Sequence, residues 1–202
     1  MKKFLLNAFV FTLATLLSPK VFAEDGFFLE PMITYQNFKA DIEYPNTFLS
    51  DSSGDVKGTG FGLRLGGHVI DTVFLAADLR YSQPKYQDSN FEADAKESNY
   101  GVVLGLQMPI VGLRLWAGYV VDGVLDPKED NGVDLKFKEA KGPRLGAGFH
   151  VAMFSINLEY QNLKYDSTEL EKLGPFTDVN AQDRIELTES GYVASVSFPI
   201  SF

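Results

Sequence analysis

Apolar side chains recur at every second residue over long stretches of this chain, and a period of two predicts strands where 3.6 would predict helices. Phe61, Leu63, Leu65 and Val69 share one face, opposite Gly60, Gly62, Arg64, Gly66 and His68. Val73, Leu75, Ala77, Leu79 and Tyr81 oppose Thr72, Asp78, Arg80 and Ser82. Val111, Leu113, Leu115, Ala117, Tyr119 and Val121 oppose Gly112, Arg114, Trp116 and Gly118. Phe154, Ile156, Leu158 and Tyr160 oppose Ser155, Asn157, Glu159 and Gln161. Eight segments carry the pattern: 27–38, 57–69, 72–83, 98–108, 111–121, 142–151, 153–165 and 188–202. Each offers the roughly 9–11 residues that a tilted strand needs to cross a bilayer.

The links between segments fall into two classes. Those after the second, fourth and sixth are minimal: Ile70-Asp71, Pro109-Ile110 and Ala152. Those after the first, third, fifth and seventh, such as 39–56 and 166–187, are long and rich in Asp, Glu, Ser, Asn, Gly and Pro. One turn of helix is expected in the last, from the Thr168/Glu171 capping spacing, Leu170 and Leu173, and the Gly174-Pro175 stop. Short turns alternating with long polar loops predict an all-β fold, an eight-stranded antiparallel up-and-down transmembrane β-barrel with periplasmic turns and extracellular loops.

The face opposite the apolar one mixes glycine with isolated charges, from which no soluble core can be assembled. Lipid must therefore meet the apolar face, and the charges must point inward. Glu30, Asp78 and Glu159 stand against Arg64, Arg80, Arg114 and Arg144, and burial demands that they pair. A static salt-bridged plug is the expected outcome, and a gated ion path or proton relay is the alternative. Glycines 60, 62, 66, 101, 105, 112, 118, 146 and 148 relieve crowding in a narrow lumen. Trp116 points inward as a packing plug, and outward aromatics near strand ends suit interface girdles. Pro31, inside the first segment, predicts a bulge or a later strand start.

Residues 1–23 read as a cleaved signal peptide: Lys2 and Lys3, then an apolar run from Phe4 to Leu17, then Val21-Phe22-Ala23. The barrel domain is then 24–202. Removing Lys2, Lys3 and Lys20 takes the net charge from −9 to −12, which argues against nucleic acid as a partner. Cysteine is absent, so disulfides and thiolate chemistry are excluded. The chain ends on an alternating strand in which Tyr192, Ala194, Val196, Phe198, Ile200 and Phe202 share the apolar face, with Gly191 and Ser195 opposite.

With that terminal strand and the loop layout, residues 27–202 resemble the small outer-membrane barrels built like the OmpA membrane domain or OmpX. The resemblance implies a bacterial outer-membrane location and an assembly signal in Gly191, Tyr192, Phe198, Ile200 and Phe202. It also implies barrel-assembly machinery, periplasmic chaperones, outer-membrane lipid and lipopolysaccharide as partners.

Some barrels of this size are enzymes with a histidine base toward the outer leaflet. Here His68 and His150 both close strands at the periplasmic end, where they are expected to form a structural pair, with each other or a nearby carboxylate, a metal site being the alternative. Asp122, Asp126, Glu129, Asp130 and Asp134, and further on Asp178, Asp183 and Glu186, are expected in solvated acidic loops, with a calcium site as the alternative. No catalytic residue, cofactor or metal is assigned. The expected function is a non-enzymatic barrel serving envelope integrity or surface interaction, with an extracellular ligand or host surface met by its loops. The alternatives are a narrow channel or carrier for small or apolar solutes, similar to OmpW-like barrels, and then a lipid A-modifying enzyme.

Overall fold

A computed structural model describes residues 26–43, 52–88, 91–108, 112–129, 133–151, 153–173, 176–179 and 186–202. The expected signal peptide, Pro109-Ile110, Ala152, Asp130, Gly174-Pro175 and residues 180–185, Asp183 among them, lie outside the described residues. The strands are β1 (Phe27–Glu43), β2 (Ser52–Ile70), β3 (Val73–Asp88), β4 (Phe91–Met108), β5 (Leu113–Pro127), β6 (Val133–Val151), β7 (Phe154–Leu173), β8 (Phe176–Val179), β9 (Glu186–Ser197) and β10 (Ile200–Ser201). From β1 to β7 each pairs antiparallel with the next, and β9 pairs with both β7 and β1 to close the ring. β10 continues β9 along β1 in unbroken register, while β8 is a short addition to the upper part of β7. The ring is thus an eight-stranded antiparallel up-and-down barrel. Closure leaves no sheet edge, which is the condition for placing strands in hydrocarbon.

The strands run well past the expected boundaries, and the apolar and polar faces exchange sides as they do. In β1, Phe27, Leu29, Ile33 and Tyr35 face outward, but from Asn37 on the outward residues are Asn37, Lys39, Asp41 and Glu43. Phe38 and Ala40 now point inward and are buried. The same exchange occurs in β3, where outward Tyr81 is followed by Gln83, Lys85 and Gln87 with Tyr86 inside. The lower storey is inside out, facing lipid. The upper storey is built like a soluble barrel, with an apolar interior and a charged exterior. Residues 39–43 and 52–56, expected as loop, are strand here because alternation continues with its phase reversed. Residues 168–173 likewise belong to β7, and the expected helical turn does not form: their backbone pairs with β6 and β8 instead.

The storeys meet at a belt of outward tyrosines, one on each of six strands: Tyr35, Tyr81, Tyr100, Tyr119, Tyr160 and Tyr192. Tyr160 and Tyr192 are cross-strand partners with ring centroids 5.4 Å apart. This girdle lies mid-strand, not near a strand end, because the barrel continues above it. The membrane-spanning segments are therefore 27–35, 61–69, 73–81, 100–108, 113–121, 145–151, 154–160 and 192–202. About nine residues at ~3.3 Å each, tilted by ~40°, span about 23 Å, close to the ~25 Å apolar band of such barrels.

Two prolines and one glycine correct the expected local structure. β1 begins at Phe27 and passes Pro31 without a register shift. Phe198 N–H donates to the Pro31 carbonyl at 2.9 Å, so Pro31 forfeits only the return bond at the seam with the closing strand. Pro199 follows at the break between β9 and β10. Gly112 sits in the turn before β5 at φ +70°, so its role is backbone conformation, not lumen space.

The upper storey makes a direct prediction. The chain has no native cysteine, so single cysteines at residues 38–41 on intact cells should label in alternation. Lys39→Cys and Asp41→Cys should react with a membrane-impermeant maleimide, while Phe38→Cys and Ala40→Cys stay protected. Uniform labelling would mean that this stretch is loop.

Candidate functional site

All seven inward charges named from the sequence lie in one layer of the lower storey and touch one another. Asp78 on β3 is the hub. It takes Arg80 Nε at 2.7 Å, Arg144 Nη1 at 2.7 Å and Arg64 Nη2 at 3.0 Å. Glu159 on β7 faces the same three guanidinium groups at 3.5–3.7 Å and accepts a hydrogen bond from Trp116 Nε1 at 2.7 Å. Glu30 on β1 pairs with Arg114 at 2.7 Å and with Arg64 at 3.7 Å, and also accepts from Ser197. Arg64, Arg114, Arg144, Glu30, Asp78 and Glu159 are all at most 2% exposed. Planar guanidinium forks suit this setting, because each can satisfy two carboxylates without moving.

Neutral groups complete the layer. Arg144 Nε donates to Gln161 at 2.8 Å, and its Nη2 donates to Asn99. The Arg64 guanidinium stacks 4.9 Å from the Trp116 ring centroid. Trp116 therefore ties the layer together by hydrogen bond as well as by bulk. Its ring occupies space that glycine provides: a Cβ added at Gly146 would lie 2.1 Å from it.

The charged layer is closed from below and above. Beneath it, Phe28, Phe74, Ala76, Val103 and Trp116 form an aromatic floor, with Phe28 and Phe74 edge to face at 5.8 Å. A Cβ at Gly105 would lie 2.2 Å from the Phe74 ring, so that glycine makes room for the floor. Above the layer, an apolar plug that includes Phe38, Leu125, Phe137, Leu163, Tyr165 and Leu187 fills the upper storey.

Two carboxylates that sequence reasoning did not count sit between layer and plug, above the tyrosine girdle. Glu97 accepts hydrogen bonds from Gln36, from Asn99 at 3.1 Å and from Ser82 at 3.4 Å, while Glu189 accepts one from Tyr165 at 3.0 Å. Burial holds both carboxyls above the ordinary range, and the charge of Glu97 pushes Glu189 further up. Burial and Glu189 raise the Tyr165 phenol likewise. Glu97 falls one residue before the expected start of its strand. Glu189 lies within its expected strand, and its parity points inward.

The histidines are held separately, not as a pair. His150 Nδ1 lies 3.0 Å from Ser155 Oγ, while the His68 ring packs at 5.6 Å from Phe28 and 6.2 Å from Phe74. Both line a cavity of about 90 Å³ at the short-turn end of the barrel, the end expected to face the periplasm, with Gln107, Arg114 and Ser201. Glu129 stays in the link after β5, but Asp126 and Asp134 are not confined to a loop: Asp126 lies in β5, 3.6 Å from Lys136 on β6, and Asp134 lies in β6. Among the described residues no group of three or more potential metal ligands is found. Gly191, Tyr192, Phe198, Ile200 and Phe202 lie along the closing strand, with all but Gly191 exposed on the lipid face.

No protein-family model matches the chain. Its fold is similar to that of the outer membrane protein AlkL, with 11% identity, a TM-score of 0.54, and coverage of 88% of this chain and 91% of that one. It is also similar to the outer membrane protein OprG of Pseudomonas aeruginosa, with 12% identity, a TM-score of 0.50, and coverage of 87% and 96%. At these identities the likeness is one of fold. A stretch of 77 residues, 38% of this chain, is 38% identical to the ferric-pyoverdine M114 receptor PbuA of Pseudomonas sp. (strain M114), of which it spans 9%. The ring, its outward apolar band and these neighbours make the chain a small β-barrel protein of the bacterial outer membrane.

Two predictions follow from the charges. Asp78→Asn leaves three arginines short of their shared counterion and should destabilise the barrel by about 3–5 kcal/mol, measured by urea unfolding in detergent. The second concerns pH. With both carboxyls raised, the folded state of the Glu97–Glu189 pair holds protons that the unfolded chain releases. Its stability is complete below the ordinary glutamate pKa and is lost as pH climbs through the raised values. Glu189→Gln should therefore gain stability relative to the unmodified protein as pH rises from about 4 to 9, and a constant difference would contradict this.

Proposed function

We propose that this protein is a closed, non-enzymatic barrel whose role is carried on its extracellular side, in envelope integrity or in contact with a ligand or surface outside the cell. The filled interior is the observation that carries the reading. An axial path would have to cross the aromatic floor, the arginine–carboxylate layer and the apolar plug, each made of side chains nearly free of solvent. Breaking the ionic layer alone costs several kcal/mol.

The apolar lining of the upper storey favours one second reading, a carrier for small apolar solutes. Such a solute would have to displace Phe137, Leu163 and Leu187 from their packing. Lipid or peptide chemistry at the outer leaflet has less support, since both histidines lie at the end expected to face the periplasm, beside Ser155 and Phe28. The long strands above the girdle instead support a stiff stem that lifts the loops away from the membrane surface.

Planar-bilayer recording of the refolded barrel tests the reading. No steady conductance is expected, and no faster release of a small apolar dye from loaded vesicles. A steady current that disappears in Arg114→Ala would establish the channel instead.

A further inference from the structure

The four arginines of the buried layer are not equally satisfied. Arg64 Nε donates to Asp78 at 3.1 Å, Arg80 Nε to Asp78 at 2.7 Å and Arg144 Nε to Gln161 at 2.8 Å. Arg114 Nη1 is committed to Glu30 at 2.7 Å, but its Nε is buried and donates to no group among the described residues. An unpaired donor on a buried charged group is costly, so what lies beside Arg114 matters. Its guanidinium is held against two rings, 4.9 Å from the centroid of Phe74 and 5.9 Å from that of Phe28. These contacts fix its position without neutralising its charge.

Charge is short in the same layer. Four guanidinium groups, of Arg64, Arg80, Arg114 and Arg144, face three carboxylates, of Glu30, Asp78 and Glu159, which leaves one positive charge in excess. Glu97 and Glu189 stand beyond the layer, above the girdle, away from Arg114.

Arg114 is also the arginine of the layer that lines the cavity of about 90 Å³ at the short-turn end. Four other polar residues line that cavity from separate strands: His68 on β2, Gln107 on β4, His150 on β6 and Ser201 on β10. No carboxylate among the described residues does. Each of the four carries a side-chain donor: an imidazole N–H, an amide or a hydroxyl. His150 Nδ1 lies 3.0 Å from Ser155 Oγ. With the Ser155 hydroxyl donating to Nδ1, the His150 proton sits on Nε2, on the other edge of the ring.

Size and shape select the ligand. At ~30 Å³ per water the cavity equals about three waters, enough for a small inorganic anion and too little for a sugar or a peptide. Donors on five strands, Arg114 on β5 included, suit an ion with acceptors on every side. A planar carboxylate would turn an apolar flank to some of them. The cavity lies within a closed ring, so an anion enters along the axis from water and not sideways from lipid.

We propose that this cavity binds a small tetrahedral oxyanion such as phosphate, taken from the aqueous phase and held by Arg114 Nε with His68, Gln107, His150 and Ser201 around it. The ion supplies the acceptor that Arg114 lacks and a fourth negative charge for the layer. It ties the mouth of the barrel to the ionic layer through one side chain. The site is at the opposite end from the long loops and does not depend on what they contact.

Calorimetric titration of the refolded barrel in neutral detergent, at constant ionic strength, tests the site with inorganic phosphate, acetate and glycerol phosphate. Phosphate should saturate at one ion per barrel, and acetate should bind at least tenfold more weakly. Glycerol phosphate, which stands for a phosphate carried on a lipid headgroup, should be excluded to the same degree. In nitrogen NMR spectra the Arg114 Nε–H resonance should move with phosphate, while those of Arg64, Arg80 and Arg144 keep their positions. Arg114→Gln and a His68→Phe/His150→Phe variant should each lose at least tenfold in phosphate affinity. The histidine variant leaves the ionic layer untouched, so it reports even where Arg114→Gln does not refold. Binding that does not saturate, equal binding of acetate, a preference for glycerol phosphate, or unchanged affinity in a folded histidine variant overturns the site.

Discussion

Hydrocarbon cannot accept a hydrogen bond, and every feature of this chain answers to that fact. Eight strands close into a ring so that no backbone donor faces lipid unpaired. Once closed, the sheet has one face toward lipid and one toward a lumen too narrow for water to solvate charges freely. Charged side chains on the inner face must then find each other. Asp78, set among Arg64, Arg80 and Arg144, is the geometric solution. Glycine at 105 and 146 follows from the same crowding, because Phe74 and Trp116 occupy the space where side chains would stand.

The constraint changes at the tyrosine belt, and the chain changes with it. Above Tyr35 or Tyr160 water surrounds the sheet, so polar side chains turn outward and apolar ones fill the lumen. One continuous set of strands thus serves two solvents in succession. The stem is a continuation of the membrane barrel that shares its register, and it keeps the loops on a stiff base. Arginine inside and lysine outside follow the same division: a planar fork suits a crowded buried layer, a hydrated ammonium a wet surface.

Much of this was legible in the sequence, and the limits have a physical cause. Parity alone put Glu30, Arg64, Asp78, Arg80, Arg114, Arg144 and Glu159 on one face, and all seven meet in one layer. What parity could not supply was the point where inside and outside exchange. Phe38-Lys39-Ala40-Asp41 alternates as cleanly as Ile33-Thr34-Tyr35-Gln36, but with apolar residues at the other parity, so it read as loop. That boundary hid Glu97 and the upper plug. The Thr168–Glu171 spacing suggested a helix because a local signal was weighed without the strand beside it, and pairing of β7 with β6 overrides it. Pro31 promised a bulge, yet its missing donor falls on a single bond at the closing seam.

The account stands on lipid touching the outward face only up to the tyrosines. The most direct measurement is nitroxide accessibility along β7, with single spin labels at Ile156, Leu158, Asn162 and Lys164 in bilayers. Labels at Ile156 and Leu158 should collide with dissolved oxygen and not with an aqueous nickel complex, with the order reversed at Asn162 and Lys164. Labels at Ile156 and Leu158 that are shielded from both reagents, or open to the nickel complex, would contradict it.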